Sequence, residues 1–279
     1  MPWLLEESVL DKMTQMGANV TADQCREYEA RATALGSVEG SPITRKEGGT
    51  ARITVEGILT PKPDFLAFLF GGGNTTYAEV VGAIARAESD PDIENIELRI
   101  DSPGGSIDGM FGAMTAISSA KKPVTAIAGN QVASAAYGLA SQAGRIVAES
   151  DATRLGSIGV VAEVGTSNRT VTITSTNAPD KRPDVQTEEG KAKIREELDG
   201  IADLFAERIA SGRGLTSEKI NTDIGRGAML MAKEALNRGM IDAIQGAESD
   251  DNKPAALGGK KPTATRDPRQ LNTETPTGQ

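Results

Sequence analysis

Apolar residues recur along this chain in two alternating rhythms. Between Ala51 and Leu59 they fall at 53 and 55 and again at 58 and 59, which predicts a strand ended by Pro61 and Pro63. Thr75 or Thr76 can cap a helix that carries Val80, Val81, Ile84 and Ala87 on one face and stops at Asp90-Pro91. From Ile93 to Ile100 the two-residue rhythm returns, with Ile96, Leu98 and Ile100, and a sharp turn Asp101-Ser-Pro-Gly-Gly105 follows. Ser106 can cap the next helix, with Ile107, Met110, Met114 and Ile117 as its apolar face. Pro123 to Ala128 reads as a third strand. It leads through Gly129-Asn-Gln131 into a helix with Ser134 in its first turn. Arg145–Ala148, Ser157–Val161 and Thr170–Thr174 read as further strands.

A long helix is predicted from about Thr187, with Ile194, Leu198, Ile201, Leu204 or Phe205, and Ile209 at three- and four-residue spacing. Ser211-Gly-Arg-Gly214 ends it, and two short helices follow, near 216–223 and 231–238. Strands alternating with helices at this spacing imply an α/β fold around a mostly parallel sheet. In such sheets, sites form at the carboxyl ends of the strands. The Asp101 turn and the Ser134 helix start both lie there.

The rhythm is absent at both ends. Residues 1–48 read as an N-terminal appendage, with a capping box at Thr21-Ala-Asp-Gln24 and a helix to about Leu35. Residues 49–245 form the main domain. From 246 to 279 the chain is polar and rich in Pro, Gly and Thr, the composition of a disordered tail. Phe65–Phe70, followed by three glycines, is either a piece of core or a sticky loop for a subunit or a substrate.

Composition narrows the chemistry. Formal net charge is -9, which argues against nucleic acid, since phosphate binding needs a basic face. No stretch approaches the roughly 20 apolar residues of a membrane span, and the N-terminus lacks the pattern of a secretory signal. A single cysteine, Cys25, excludes an internal disulfide and fits a reducing compartment. There is no histidine, so a Ser-His-Asp triad and a His-ligated metal are both impossible. No metal and no cofactor are expected. Any general base must be Lys, Asp, Glu, Tyr or the terminal amine.

The turn glycines can aim backbone N–H groups at a ligand, and a helix start offers unpaired N–H donors. A serine oxygen between the two sets is placed to attack a carbonyl and to have the resulting oxyanion held. As a base, Lys181 stands out because it lies in a Pro-bounded loop after a strand. Lys121 and Lys122 precede a strand, at the opposite edge of the sheet, and Lys191 and Lys193 lie on a charged helix. A lysine base must be largely neutral, so its pKa must fall from about 10.4 to about 7–8. Burial supplies such a shift; neighbouring Arg182 would add to it and Asp180 oppose it.

Asp101-Ser-Pro-Gly-Gly-Ser106, Ala133-Ser-Ala-Ala-Tyr137, Leu155-Gly-Ser-Ile-Gly-Val160, Gly212-Arg-Gly214 and Ala232–Asp242 occur in an order that resembles the signal peptide peptidase A family of serine peptidases. The likeness covers about 51–245 and is strongest to the branch of phage prohead proteases. It implies a Clp-protease/crotonase-like fold of repeated β-β-α units, and a Ser-Lys dyad. In it Ser134 matches the nucleophile and Lys181 the base, with backbone N–H groups of Gly104, Gly105 and Ala135 as oxyanion donors. Ala135-Ala136 stands where the bacterial branch has Gly-Gly, and the chain is short between Val160 and Thr170. The implied protein is a homo-oligomeric endopeptidase of the host cytoplasm or the prohead, without a membrane anchor. It would cut scaffold or capsid proteins and its own tail. Three alternatives stand beside it: a bacterial cytoplasmic peptidase, an inactive assembly protein of the same fold, and a crotonase-type acyl-CoA enzyme. The last lacks a basic cluster for the coenzyme's phosphates.

Overall fold

The computed structural model describes residues 43–45, 48–62, 74–162 and 183–246. Their architecture is built on one mixed, mostly parallel sheet. Its central order is β1 (Ile43–Arg45), β2 (Thr50–Thr60), β4 (Asn95–Gly105), β5 (Val124–Ala133), β6 (Arg145–Ala148) and β9 (Ala243–Ile244). Three short strands branch from this path. β3 (Asn74–Thr76) extends β2 in parallel, β7 (Arg154–Gly156) pairs in parallel with the end of β5, and β8 (Met229–Met231) runs antiparallel to β7. β1, inside the stretch expected to be an appendage, pairs antiparallel with β2.

The α/β alternation is as the hydrophobic rhythm predicts. Helix α1 (Tyr77–Ser89) starts from a capping box in which Thr76 and Glu79 satisfy each other's backbone N–H groups. Val80, Ile84 and Ala87 are buried as expected, whereas Val81 is 39% exposed, because the buried stripe of this helix runs through Ala83 instead. Helix α2 (Met110–Ser118) buries Met110, Met114 and Ile117, but Ser106 does not cap it. Gly109 is its N-cap, at φ 89, and the Ser106 hydroxyl accepts the Asp108 N–H in the turn before.

The long helix α4 runs from Glu188 to Arg213, capped by Thr187 and closed by Gly214 at φ 65. Phe205 turns inward and Leu204 outward. Helix α5 (Ser217–Thr222) and helix α6 (Ala232–Asn237) fall where expected.

Three strands depart from expectation. β4 continues past Ile100 through the supposed turn to Gly105, and its inward alternation runs on through Ser102 and Gly104. Small and polar residues occupy those inward positions, so the hydrophobic pattern hides them. β5 likewise continues to Ala133. The strand expected at Ser157–Val161 is instead Arg154–Gly156, since Ser157 takes φ 52 and leaves the extended region. The expected strand at 170–174, the helix at 21–35, the Phe65–Phe70 segment and the tail beyond 246 lie outside the described residues.

One charged clasp locks the far end of the domain. The Arg213 side chain is only 7% exposed and grips Asp242 with two nitrogens, at 2.8 and 3.1 Å. It also donates to the Gly239 carbonyl, while Asp242 accepts the Ile146 N–H at 2.7 Å. Burial works against the charge on Arg213, but the Asp242 carboxylate and Tyr137 together outweigh it and hold the guanidinium above its ordinary pKa. Removing one partner of such a pair strands the other and costs about 3–5 kcal/mol. Asp242 is 30% exposed, so Arg213→Ala is expected near the lower end, about 3 kcal/mol by denaturant unfolding. Unchanged stability would show the clasp to be idle.

Candidate active site

Two irregularities in strand register bring the site together. β2 and β4 slip between Glu56 and Ile58, where Gly57 sits at φ 70; β4 and β5 slip between Ile100 and Ser102. Asp101 stands at the second slip and bridges it. Its carboxylate accepts the Asn130 side-chain amide at 2.7 Å and the Gln131 backbone N–H at 3.1 Å. Gln131 in turn accepts from Arg154 on β7 at 2.8 Å. The same carboxyl explains Gly129, where a Cβ would come within 3.2–3.3 Å of Asp101 side-chain atoms. The latter parts of β4 and β5 and the start of β7 are thus tied together, and the chain leaves β5 directly into Ser134.

Ser134 sits at φ 50, ψ -124, a backbone conformation that non-glycine residues rarely adopt. Its N–H donates to the Gly156 carbonyl at 2.8 Å and its C=O accepts from Gly138 at 3.0 Å, so strand and helix hold the kink from both sides. It is the N-cap of helix α3 (Ala135–Ser141), yet its side chain makes no capping hydrogen bond, and the residue is half-buried. A serine at this position ordinarily spends its oxygen on the helix N–H groups. Here the side chain does not serve as the cap, and the residue stands at a strained strand-to-helix turn.

The Asp101–Gly105 segment reaches this serine at close range. A Cβ on Gly104 would lie 2.8 Å from both the Ala133 carbonyl oxygen and Ser134 Cβ, and 3.1 Å from the Ala135 nitrogen. Gly104, Ser134 and Ala135 therefore meet at one point. Ala135 opens helix α3, so its N–H has no acceptor within the helix. The Gly104 N–H donates to Ser102 Oγ at 3.1 Å. Gly105 pairs with Leu59 and is pressed against it: a Cβ there would fall 1.9 Å from the Leu59 carbonyl oxygen.

Helix α3 is buried along its whole length and cannot shift easily. Tyr137 donates to the Met240 carbonyl at 2.9 Å, and burial raises its phenol pKa. Gly138 lies under the Phe205 ring, and Gly212 faces the Ser141 carbonyl, where a Cβ would come within 2.2 Å. The Gly212-Arg-Gly214 signature thus permits close approach of α4 to the helix that carries Ser134.

The expected base, Lys181, lies outside the described residues. Lys122 is committed elsewhere. Its amine donates to the Ala87 and Asp90 carbonyls at 2.6 and 2.7 Å, at the far end of the ten-residue β5 from Ser134. At about 3.3 Å per residue that is roughly 30 Å away. Lys191 pairs with Glu188 on the surface of α4. Among the described residues there is no group of three or more His, Cys, Asp or Glu that could hold a metal ion, and no helix is long and apolar enough to cross a membrane.

The sequence reading missed the clamp made by Asp101 and the acceptor roles of Ser102 and Gly156. An acidic residue at a strand end, directly before Ser-Pro-Gly-Gly, was the available signal for the first.

In sequence, the chain is similar to known peptidases. The model of peptidase family S49 matches residues 116–256, and that of Clp protease matches 68–150. The chain is 27% identical to capsid assembly protease C of Escherichia phage lambda over 243 residues, 81% of this chain and 54% of that protein. It is 28% identical to Protease 4 of Salmonella typhi over 185 residues, 62% of this chain and 29% of that protein. It is 24% identical to head-tail preconnector protein GP5 of Enterobacteria phage P21 over 254 residues, 85% of this chain and 48% of that protein. The chain thus spans about half, or less, of the length of these relatives.

Proposed function

The chain belongs to peptidase family S49, and from that membership we propose that it is a serine endopeptidase with Ser134 as nucleophile and Lys181 as general base. The observation that carries this reading is the strained, uncapped Ser134 packed against Gly104 and the first N–H of helix α3. The neutral Lys181 amine takes the proton from Ser134 Oγ as that oxygen bonds to the scissile carbonyl carbon. The carbonyl oxygen becomes an oxyanion, and backbone N–H groups at Gly104, Gly105 and Ala135 stabilise it. Collapse breaks the C–N bond, and the lysine ammonium returns its proton to the leaving amine. Water then hydrolyses the acyl-serine ester by the same steps in reverse roles.

We further propose the biological setting. The likeness to capsid assembly protease C covers four-fifths of this chain. It supports a role in phage head maturation, in the host cytoplasm or the prohead. There the enzyme would act as a homo-oligomer on scaffold or capsid proteins and on its own C-terminal tail.

Lys181→Ala tests the base directly. Labelling of wild-type protein by a fluorophosphonate probe should increase with pH as the amine deprotonates. It should vanish, together with casein cleavage, in Lys181→Ala. A fully active Lys181→Ala protein would move the base to another residue.

A further inference from the structure

Ser102 is almost completely enclosed, 1% exposed, and its Oγ is the acceptor of the Gly104 N–H. Gly104 is itself buried, so that N–H has no ready access to water. It also stands at φ 100, with its Cα against Ser134 and the Ala135 nitrogen. A peptide group next to glycine turns over easily, because no side chain restricts the glycine φ. The orientation of this N–H therefore depends on what it is bonded to.

We propose that Ser102 is a positioning residue for the oxyanion site. Its hydroxyl holds the Gly104 N–H in the resting protein as a neutral stand-in acceptor, and shares or yields that N–H when the oxyanion forms. The inference rests on the serine-peptidase reading above and adds a residue to it.

The physical need is plain. An oxyanion donor is wanted only while the oxyanion exists. Between turnovers a buried N–H without an acceptor is costly, and a Gly-Gly segment would rearrange to satisfy it. A hydroxyl oxygen solves this without competing too strongly. Hydrogen bonds to an ionised acceptor are about twice as strong as neutral ones, so the exchange runs toward the oxyanion as charge develops. The Ser102–Gly104 distance of 3.1 Å lies toward the long end for N–H···O, which leaves room for a second acceptor on the same hydrogen. The donor stays aimed throughout, and aim is what makes such a site effective.

The test compares Ser102→Ala with wild-type protein, using fluorescence-quenched casein, a tripeptide aldehyde and the matching tripeptide alcohol. Ser134 Oγ adds to the aldehyde carbonyl carbon, and the former carbonyl oxygen, which takes up the serine proton, occupies the oxyanion site. The alcohol cannot form that bond. Removing a true oxyanion donor costs about 10²–10³ in kcat, so loosening one should cost about tenfold to a hundredfold, with KM changed by less than about threefold. Aldehyde affinity should fall by the same factor, while alcohol affinity stays near wild type. A Ser102→Ala enzyme as fast as wild type overturns the proposal, and so does an equal fall in aldehyde and alcohol affinity, which would mean general packing damage. If wild-type protein shows no Ser134-dependent cleavage, the peptidase reading fails and takes this one with it. If wild type is active and Ser102→Ala matches it, only the role of Ser102 fails.

Discussion

Ser134→Ala is expected to remove casein cleavage by a factor of about 10⁴–10⁶, the range seen when a serine nucleophile is deleted, and to leave the fold intact. The hydroxyl contributes no cap to helix α3, so its loss removes no helix hydrogen bond. Alanine keeps the strain, since it carries the same Cβ at φ 50, ψ -124. Ser134→Gly removes both the hydroxyl and the strain. It should be equally inactive yet about 1–2 kcal/mol more stable than Ser134→Ala, because backbone strain of this kind stores about 1–3 kcal/mol and glycine's extra unfolded-state entropy takes part of the gain back. Chemical denaturation of the two variants measures the difference. Equal stabilities would mean that the kink is relaxed in solution. Residual cleavage near wild-type levels in either variant would place the nucleophile elsewhere. The same pair tests self-processing: wild-type protein should lose C-terminal mass on storage while both variants keep it.

Gly104→Ala should damage both chemistry and stability. The added methyl would stand 2.8 Å from the Ala133 carbonyl and from Ser134 Cβ, and 3.1 Å from the Ala135 nitrogen. These are backbone atoms or a Cβ fixed directly to the backbone, so nothing can swing aside. The φ of 100 adds a penalty that an L residue cannot avoid. Activity should drop by about 10²–10³, as for a lost oxyanion donor, and stability by about 2–4 kcal/mol from clash and backbone strain together. Gly200→Ala in helix α4 is the matched control, because a Cβ there meets nothing within 4 Å. It should leave cleavage unchanged and stabilise the helix by up to about 1 kcal/mol. Comparable losses in the two variants would show that the Gly104 contact is not special.

Much of this molecule could be read before its structure, and the exceptions share a cause. Alternating isoleucines and leucines announced β2 and the first part of β4 because burial there is done by large apolar side chains. The last part of β4 was invisible to the same test. Its inward positions are Ser102 and Gly104, which are buried by the closeness of neighbouring backbone and not by their own hydrophobicity. The same holds for β7, β8 and β9, of three, three and two residues, too short to show a period. The place of Ser134 between a strand and a helix was legible because a small-residue run follows a strand and opens a helix. Its positive φ was not, since that follows from the Gly156 carbonyl, supplied by a strand more than twenty residues downstream. The choice between Leu204 and Phe205 depended on which face of α4 meets Gly138, a contact set by packing.

The Tyr137–Met240 bond has a consequence for any enzyme that shortens itself. The sheet closes at Ile244, and the helix bearing Ser134 is fastened to a carbonyl only a few residues before that end. Trimming beyond Gly246 leaves this fastening whole. A cut between Gly239 and Met240 would strip away β9, the partner of Arg213 and the anchor of the Ser134 helix in one stroke. If the chain trims itself as proposed, this build sets a limit to autolysis: the molecule that trims one step too far disarms itself.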